Sequence, residues 1–336
     1  MGKGIAVAGN IILDIIKEID KYPVRHQLAK VSRKQYSLGG CVDNTGRDLA
    51  RLDPTMPVRF IGLVGEDGEG DEILRQLKEY PNIDTSMVKR RGQTSFTDVL
   101  SEIDTGARTF LFFGGGSDQF DVEDVPVDEL DCDLFHVGYI LLLEALDKPD
   151  PVYGTRMARL LASVQAKGIL TSVDVVSEDS DRYSAIVPPA LRYTDYFIVN
   201  EIESGKTVGL PLRDEKDRLL PERIPEVLRR LKDLGVSRWV VIHAPEGGFG
   251  LDENDHYVAL PSLALPKGFI AGSVGAGDAF CAGVLHAAYK GYDIEQAIRD
   301  GIATAAASLR TAGASDGVEC IEKMRALYDS MPKQQL

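Results

Sequence analysis

The chain predicts an α/β fold: a mainly parallel β-sheet with helices on both faces, plus a small antiparallel sheet set into it. Three observations carry that prediction. Short, continuously apolar runs recur along the chain, as in strands covered on both faces. Helical patterns lie between them, so successive strands need crossovers and run parallel. Two further segments alternate polar and apolar residues, the pattern of half-exposed strands.

Taken in order, the predicted buried strands are Ile5–Ala8, Val58–Val64, Leu134–Val137, Ile169–Val173, Tyr196–Val199 and Trp239–Ile242. Helical stretches at Asn44–Leu52, Asp71–Tyr80, Tyr153–Ala166 and Ile224–Leu234 fall between them. A later one, Asp293–Leu309, puts Ile294, Ile298 and Ile302 on one face. The alternating segments are Val31–Ser37 and Ser95–Phe113, the second holding the turn sequence Asp104-Thr-Gly-Ala107. They divide the chain into a core (1–13, 38–92 and 117–336) and a β lid (14–37 and 93–116) that covers a substrate or meets a second copy. The tail after Met331 is expected to fray.

Of 336 residues, 44% are hydrophobic, enough for a sizeable core. A formal net charge of -14 argues against nucleic acid or an anionic membrane as partner. The longest apolar run, Tyr139 to Leu146, is broken by Glu144 and far from the ~20 residues of a membrane span. The apolar start reads as a strand, not a signal peptide, so a cytoplasmic protein is expected. Cys41, Cys132, Cys281 and Cys320 form no C-x-x-C pair, and the five histidines form no zinc pattern. The cysteines read as small buried apolar residues.

The strongest chemical signal is Gly272-Ser-Val-Gly-Ala-Gly-Asp278, running into an apolar helix. Small residues let backbone approach a ligand, and a helix N-terminus attracts phosphate. A carboxylate at that spot suits proton transfer, so the segment points to phosphoryl transfer. Ligands of open α/β sheets bind beyond the carboxyl ends of the strands. Asn10 and Asp14, Asp174, Asn200 and Glu203, and His243 all follow predicted strands there. Gly205-Lys-Thr207 is no phosphate loop, because Asn200 stands where that motif requires glycine.

These segments together resemble the ribokinase-like (PfkB) carbohydrate kinases. Gly275-Ala-Gly-Asp278 is similar to their C-terminal signature. Gly39-Gly-Cys-Val-Asp-Asn44 and Gly62-Leu-Val-Gly-Glu-Asp-Gly-Glu-Gly70 are similar to the N-terminal one. Asn200-Glu-Ile-Glu203 matches their N-x-x-E motif, and the order holds from about residue 4 to about residue 318. The resemblance implies a three-layer sandwich with a β lid and an ATP- and Mg²⁺-dependent kinase of a small sugar, acting on a hydroxyl, most often a primary one. Asp278 would be the base, and the backbone of Gly275, Ala276 and Gly277 the anion hole. Asn10, Asp14, Gly39, Gly40 and Asn44 would bind the sugar, with Glu144 and Asp174 as substrate-dependent candidates. Asn200, Glu203, His243, Gly248, Gly275, Gly277 and Ile302 would serve ATP, and Glu203 would hold Mg²⁺ through water. A homodimer through the lid is a further expectation.

Beyond the sugar side, where Glu144 and Asp174 stand at positions that vary with substrate among relatives, the chain departs from the family's pattern in two places. Relatives usually read D-T-T before G-A-G-D, and the first Asp and second Thr help hold a monovalent cation. Here Gly272 and Val274 stand instead, so weak or absent K⁺ activation is expected. Relatives often carry T-x-G-x-x-G where this chain has His243-Ala-Pro-Glu-Gly-Gly248, and Pro245 has no N–H to offer. The lid cations Lys30, Arg33 and Lys34 are either anion contacts or solvated surface. Two other readings stay open: a nucleoside kinase, with Phe96, Phe112 or Phe113 facing the base, and a non-catalytic sugar-binding regulator.

Overall fold

The computed structural model describes residues 3–105, 107–311 and 313–336. Gly106, in the predicted hairpin turn, lies outside them. The strands are β1 (Ile5–Gly9), β2 (Ile12–Ile19), β3 (Val31–Gly39), β4 (Val58–Val64), β5 (Ile83–Arg90), β6 (Ser95–Glu102), β7 (Arg108–Phe113) and β8 (Leu134–Ile140). A two-residue ribbon follows, β9 (Pro149–Asp150) with β10 (Gly154–Thr155). Then come β11 (Leu170–Val175), β12 (Tyr196–Asn200), β13 (Trp239–Ala244), β14 (Gly247–Leu251) and β15 (Tyr257–Pro261). The helices are α1 (Gly40–Leu52), α2 (Gly68–Leu77), α3 (Glu144–Asp147), α4 (Arg156–Gln165), α5 (Tyr183–Leu191), α6 (Glu201–Val208), α7 (Ile224–Asp233), α8 (Ala276–Tyr289), α9 (Ile294–Ser308) and α10 (Ile321–Ser330).

The main sheet runs β15-β14-β13-β12-β11-β8-β1-β4-β5. From β5 to β13 every neighbouring pair is parallel; β14 and β15 close the far edge antiparallel. Strand alternation feeds two cores. Ile5 and Val7 of β1 pack with α1, α8, α9 and α10, while Ala6 and Ala8 face the side of α4, α5 and α7. Three layers result, and each predicted buried strand is present.

β14 was not predicted, because Gly247-Gly-Phe-Gly-Leu251 has poor strand propensity. Its glycines are there for packing. A Cβ at Gly248 would lie 2.6 Å from Ile298 Cγ2, and one at Gly250 would lie 2.7 Å from Ile294 Cδ1. Two of the α9 isoleucines therefore seat directly on this strand.

The second sheet runs β3-β2-β6-β7. Two antiparallel ribbons, β2–β3 and β6–β7, meet at a parallel β2–β6 seam. The tail is tied down, contrary to expectation. Ala264 N donates to Pro332 O (2.8 Å), Gln334 N donates to Ser262 O (2.8 Å), and Gln334 Nε2 donates to Pro245 O (3.2 Å). Its polar composition concealed backbone groups that pair with an open edge. Among the described residues no helix is long and apolar enough to cross a membrane.

Candidate active site

The site grows from the start of α8. Gly275 is its N-cap at φ +78°, a left-handed conformation that favours glycine, and a Cβ there would lie 2.6 Å from Ala314 Cβ. No side chain caps this helix. The first N–H groups of a helix have no intrahelical acceptor, so they stay available to an anion.

Asp278, in that first turn, is 8% exposed, and its carboxylate accepts from three side chains. Tyr139 Oη donates to Oδ1 at 2.8 Å, Thr45 Oγ1 to Oδ1 at 3.4 Å, and Asn44 Nδ2 to Oδ2 at 3.0 Å. Burial pushes the Asp278 carboxyl up to about 6, against the downward pull of those three donors. It is therefore ionised at neutral pH yet close enough to it to exchange a proton. Burial also holds the Tyr139 phenol well above its usual range, so it stays a donor.

Tyr139 and Thr45 are the functional side chains that sequence reasoning missed. Tyr139 sits at the carboxyl end of β8, which borders β1. The sheet-edge rule pointed there, but the apolar run disguised the residue. Asn10 completes the brace: its Oδ1 accepts from Tyr139 N (2.7 Å), and its Nδ2 donates to Leu142 O (3.4 Å). Asn10 is fully buried in that role. Asn44 is spent partly on Asp278, but its Oδ1 is buried with no partner among the described residues.

Two cavities flank this point. The larger, about 470 Å³, is lined by Asn200, His243, Pro245, Ile302, Leu309 and Gln334, and by Ala276 and Gly277 of α8. Its walls are mostly apolar and carry no Lys or Arg. The smaller, about 30 Å³, lies under the second sheet and is lined by Asp14, Ser37, Arg108 and Val274 among others. The segment 273–277 borders both, since Ser273 and Gly277 face the first and Val274 the second.

Beside the smaller cavity, Asp14 has its carboxyl raised to about 6 by burial, with the Thr97 hydroxyl opposing. Gly39 and Gly40 form the β3–α1 junction. A Cβ at Gly39 would lie 2.7 Å from Asp14 Oδ2, so a side chain there would displace the carboxylate. Beside the larger cavity, Asn200 caps α6, accepting from Ile202 N (2.9 Å) and Glu203 N (2.8 Å), while Glu203 Oε2 accepts from Asn200 N (2.9 Å). The N-x-x-E pair is thus a capping box. Burial raises Glu203 to about 7 despite hydrogen bonds from Ser177 and Asn200 N. Asp174 is held well above the carboxylate range by burial, and then by the charges of Glu203 and Asp278. His243 stacks on Phe280 (centroids 4.9 Å apart) and is lowered to about 4 by burial, hence neutral.

Two predicted residues stand elsewhere. Glu144 is exposed at the start of α3 and lines neither cavity; its charged neighbour is Asp118. Gly248 is buried under α9 against Ile298 and Phe280, because the Pro245-Glu246 turn is a tight hairpin that turns this strand into the core. Arg213 fixes that turn, donating to both Glu246 oxygens (3.0 Å each) and to Glu201 Oε1 (2.7 Å). Of the lid cations, Arg33 pairs with Glu18 (3.7 Å) and Lys34 lies over the Tyr36 ring (4.6 Å). The candidate ligand atoms of His136, Asp174 and Cys281 lie within 4.8 Å of one another. There the imidazole has Ser172 Oγ at 3.0 Å from Nδ1 and Cys281 Sγ at 3.9 Å from Nε2, and burial keeps it neutral at about 3.

The residues fit a divalent cation. Burial raises the proton affinity of Asp174, Glu203 and Asp278; the charge of Asp278 adds to it at Asp174 and Glu203, and that of Glu203 at Asp174, and none of the three has an Arg or Lys partner among the described residues. A bound cation would offset the cost of holding these carboxylates ionised side by side.

Comparison with known proteins agrees with this geometry. The model of the pfkB family carbohydrate kinases matches residues 3–320. An uncharacterized sugar kinase of Archaeoglobus fulgidus is 27% identical over 80% of this chain and 97% of its own. The 2-dehydro-3-deoxygluconokinase of Escherichia coli K12 is 24% identical over 94% and 97%. Among solved structures, Arabidopsis thaliana ribokinase complexed with ribose and ATP superposes with a TM-score of 0.77, at 20% identity over 98% of this chain and 99% of that one. A putative ribokinase II of E. coli in complex with ATP and Mg²⁺ gives 0.73, at 18% identity over 97% and 99%. The chain belongs to the pfkB family and is a carbohydrate kinase.

Proposed function

We propose that this kinase moves the γ-phosphoryl group of ATP to a hydroxyl of a small sugar or sugar derivative, with Asp278 as the base. The observation that carries the reading is the position of residues 273–278. The segment borders both cavities and ends in a buried carboxylate braced by three donors.

Nucleotide in the larger cavity packs its base against the apolar wall around Ile302 and Leu309. Its phosphates approach the uncapped start of α8. No Lys or Arg lines that cavity, so the N–H groups of residues 275–277 and a divalent cation carry the charge compensation. Glu203, with Asp174 nearby, would hold Mg²⁺, which when bound neutralises phosphate charge. The acceptor hydroxyl oxygen forms the bond to phosphorus as the bond to the ADP oxygen breaks, and Asp278 takes the hydroxyl proton. Asp14 receives sugar hydroxyls, and Asn44 Oδ1 offers a further acceptor. The β2-β3-β6-β7 sheet is the lid. Its exposed Tyr36, Leu111 and Phe113 support a homodimer through it.

The test is ADP release against a panel of sugars, sugar derivatives and nucleosides. Turnover of a sugar supports the reading, and preference for a nucleoside moves the acceptor class. Tight sugar binding with no turnover of any acceptor would instead identify a regulator.

A further inference from the structure

We propose that the acceptor carries a carboxylate and that Arg108 binds it. This rests on the kinase reading above and names its substrate class.

Register places the groups. Asp14 of β2 pairs with Ser37 of β3 and Thr97 of β6; Ile16 pairs with Val99; Val99 pairs with Phe110 and Ser101 with Arg108 across β6–β7. Directly paired residues share a face of a sheet, so Asp14, Ser37, Val99, Phe110 and Arg108 look into one cavity, as its lining confirms. Arg108 is half-buried there. Its guanidinium has no hydrogen bond or ion pair among the described residues. Glu18, on the same face, forms its ion pair with Arg33 instead, at 3.7 Å.

The cavity therefore has a carboxylate at one end, a guanidinium at the other, and Val99 and Phe110 between them. A ligand that satisfies both ends has hydroxyls for Asp14 and an anionic group for Arg108. A neutral sugar would bury the guanidinium further without a counter-charge. A phosphate would bring about -1.5 to -2 charges against one arginine, in a cavity that also holds Asp14. A carboxylate balances the single guanidinium and matches its fork. The net charge of -14 sharpens the point, since an acidic chain draws in an anion only with a local cation. The cavity, at about 30 Å³, holds about one water, so the lid must lift to admit the acceptor.

The experiment compares kcat/KM of the wild-type enzyme on neutral aldoses and ketoses, on aldonic and keto-aldonic acids, and on sugar phosphates. The acids are expected to be preferred. Arg108→Met should lose roughly 10–100-fold in kcat/KM on them, mostly through KM, and should narrow the preference for acids over neutral sugars by at least that factor; Arg108→Lys should fall between. A second readout needs no variant: the best acid should stabilise the wild-type protein to heat, and its uncharged amide should not. Preference for neutral sugars with Arg108→Met indifferent overturns the proposal and leaves the kinase reading intact. Preference for a sugar phosphate also overturns it. Failure of every acceptor to release ADP removes both.

Discussion

Tyr139→Phe isolates one hydrogen bond in the brace around Asp278. The substitution removes the hydroxyl that donates to Oδ1 at 2.8 Å and leaves the ring, and Asn44 and Thr45 keep their contacts. A hydrogen bond to a charged group is worth about 1.5–3 kcal/mol. At about 1.4 kcal/mol per pH unit, its loss should move the acid limb of kcat upward by about one to two pH units. The sign follows from which form is bonded. The phenol stabilises the carboxylate, so without it Asp278 holds its proton to higher pH. With the wild-type carboxyl at about 6, roughly nine-tenths is ionised at pH 7. The variant should lose about two- to tenfold in kcat at pH 7 and recover most of it near pH 9. The assay is kcat from ADP release between pH 5 and 9.5, with coupling enzymes in excess. An acid limb that stays in place, or a loss equal at every pH, refutes the claim that Tyr139 tunes the base.

Other consequences are open to the same assay. Asp278→Asn should lower kcat by about 10²–10⁴ while leaving sugar binding in place; a near-wild-type kcat removes Asp278 as base. Because burial raises Asp278 from 3.8 to about 6, its ionisation opposes folding, and the stability of the wild type should fall as pH rises through that interval. The same Asn variant should lose Asp278's share of that fall in Tm with pH, and an unchanged slope contradicts the assigned burial. Rates should be alike in potassium, sodium and choline chloride, since Gly272 and Val274 supply no side-chain oxygen; a large K⁺-specific stimulation refutes this. Gly248→Ala should destabilise by about 1–3 kcal/mol through overpacking, measured by denaturant titration. The folded fraction should keep its KM for ATP, and a raised KM with unchanged stability would return Gly248 to the nucleotide.

The start of α8 was legible because its signal is local: small residues, a carboxylate and an apolar helix stand together at 275–278. The brace was harder to read. Tyr139, Thr45 and Asn10 act through contacts that exist only once β8, α1 and β1 are side by side. Asn10 stands at the expected edge, and there its side chain bonds the backbone of Tyr139 and Leu142. β14 was illegible because packing by Ile294 and Ile298 overrides the poor strand propensity of its glycines. The tail failed for a related reason: its order comes from an edge made by residues 262–264.

β1 has a further meaning for how the protein is made. Ile5 pairs with Val58 on one side and with Leu134 on the other. A growing chain cannot complete that strand until β8 has emerged, and contacts so distant in sequence slow folding. Until then Ile5–Gly9 has an unpaired apolar flank, a segment for chaperones to shield. Asn10 meets Tyr139 only when that gap closes. The brace on Asp278 therefore forms late, after the strands around it have docked.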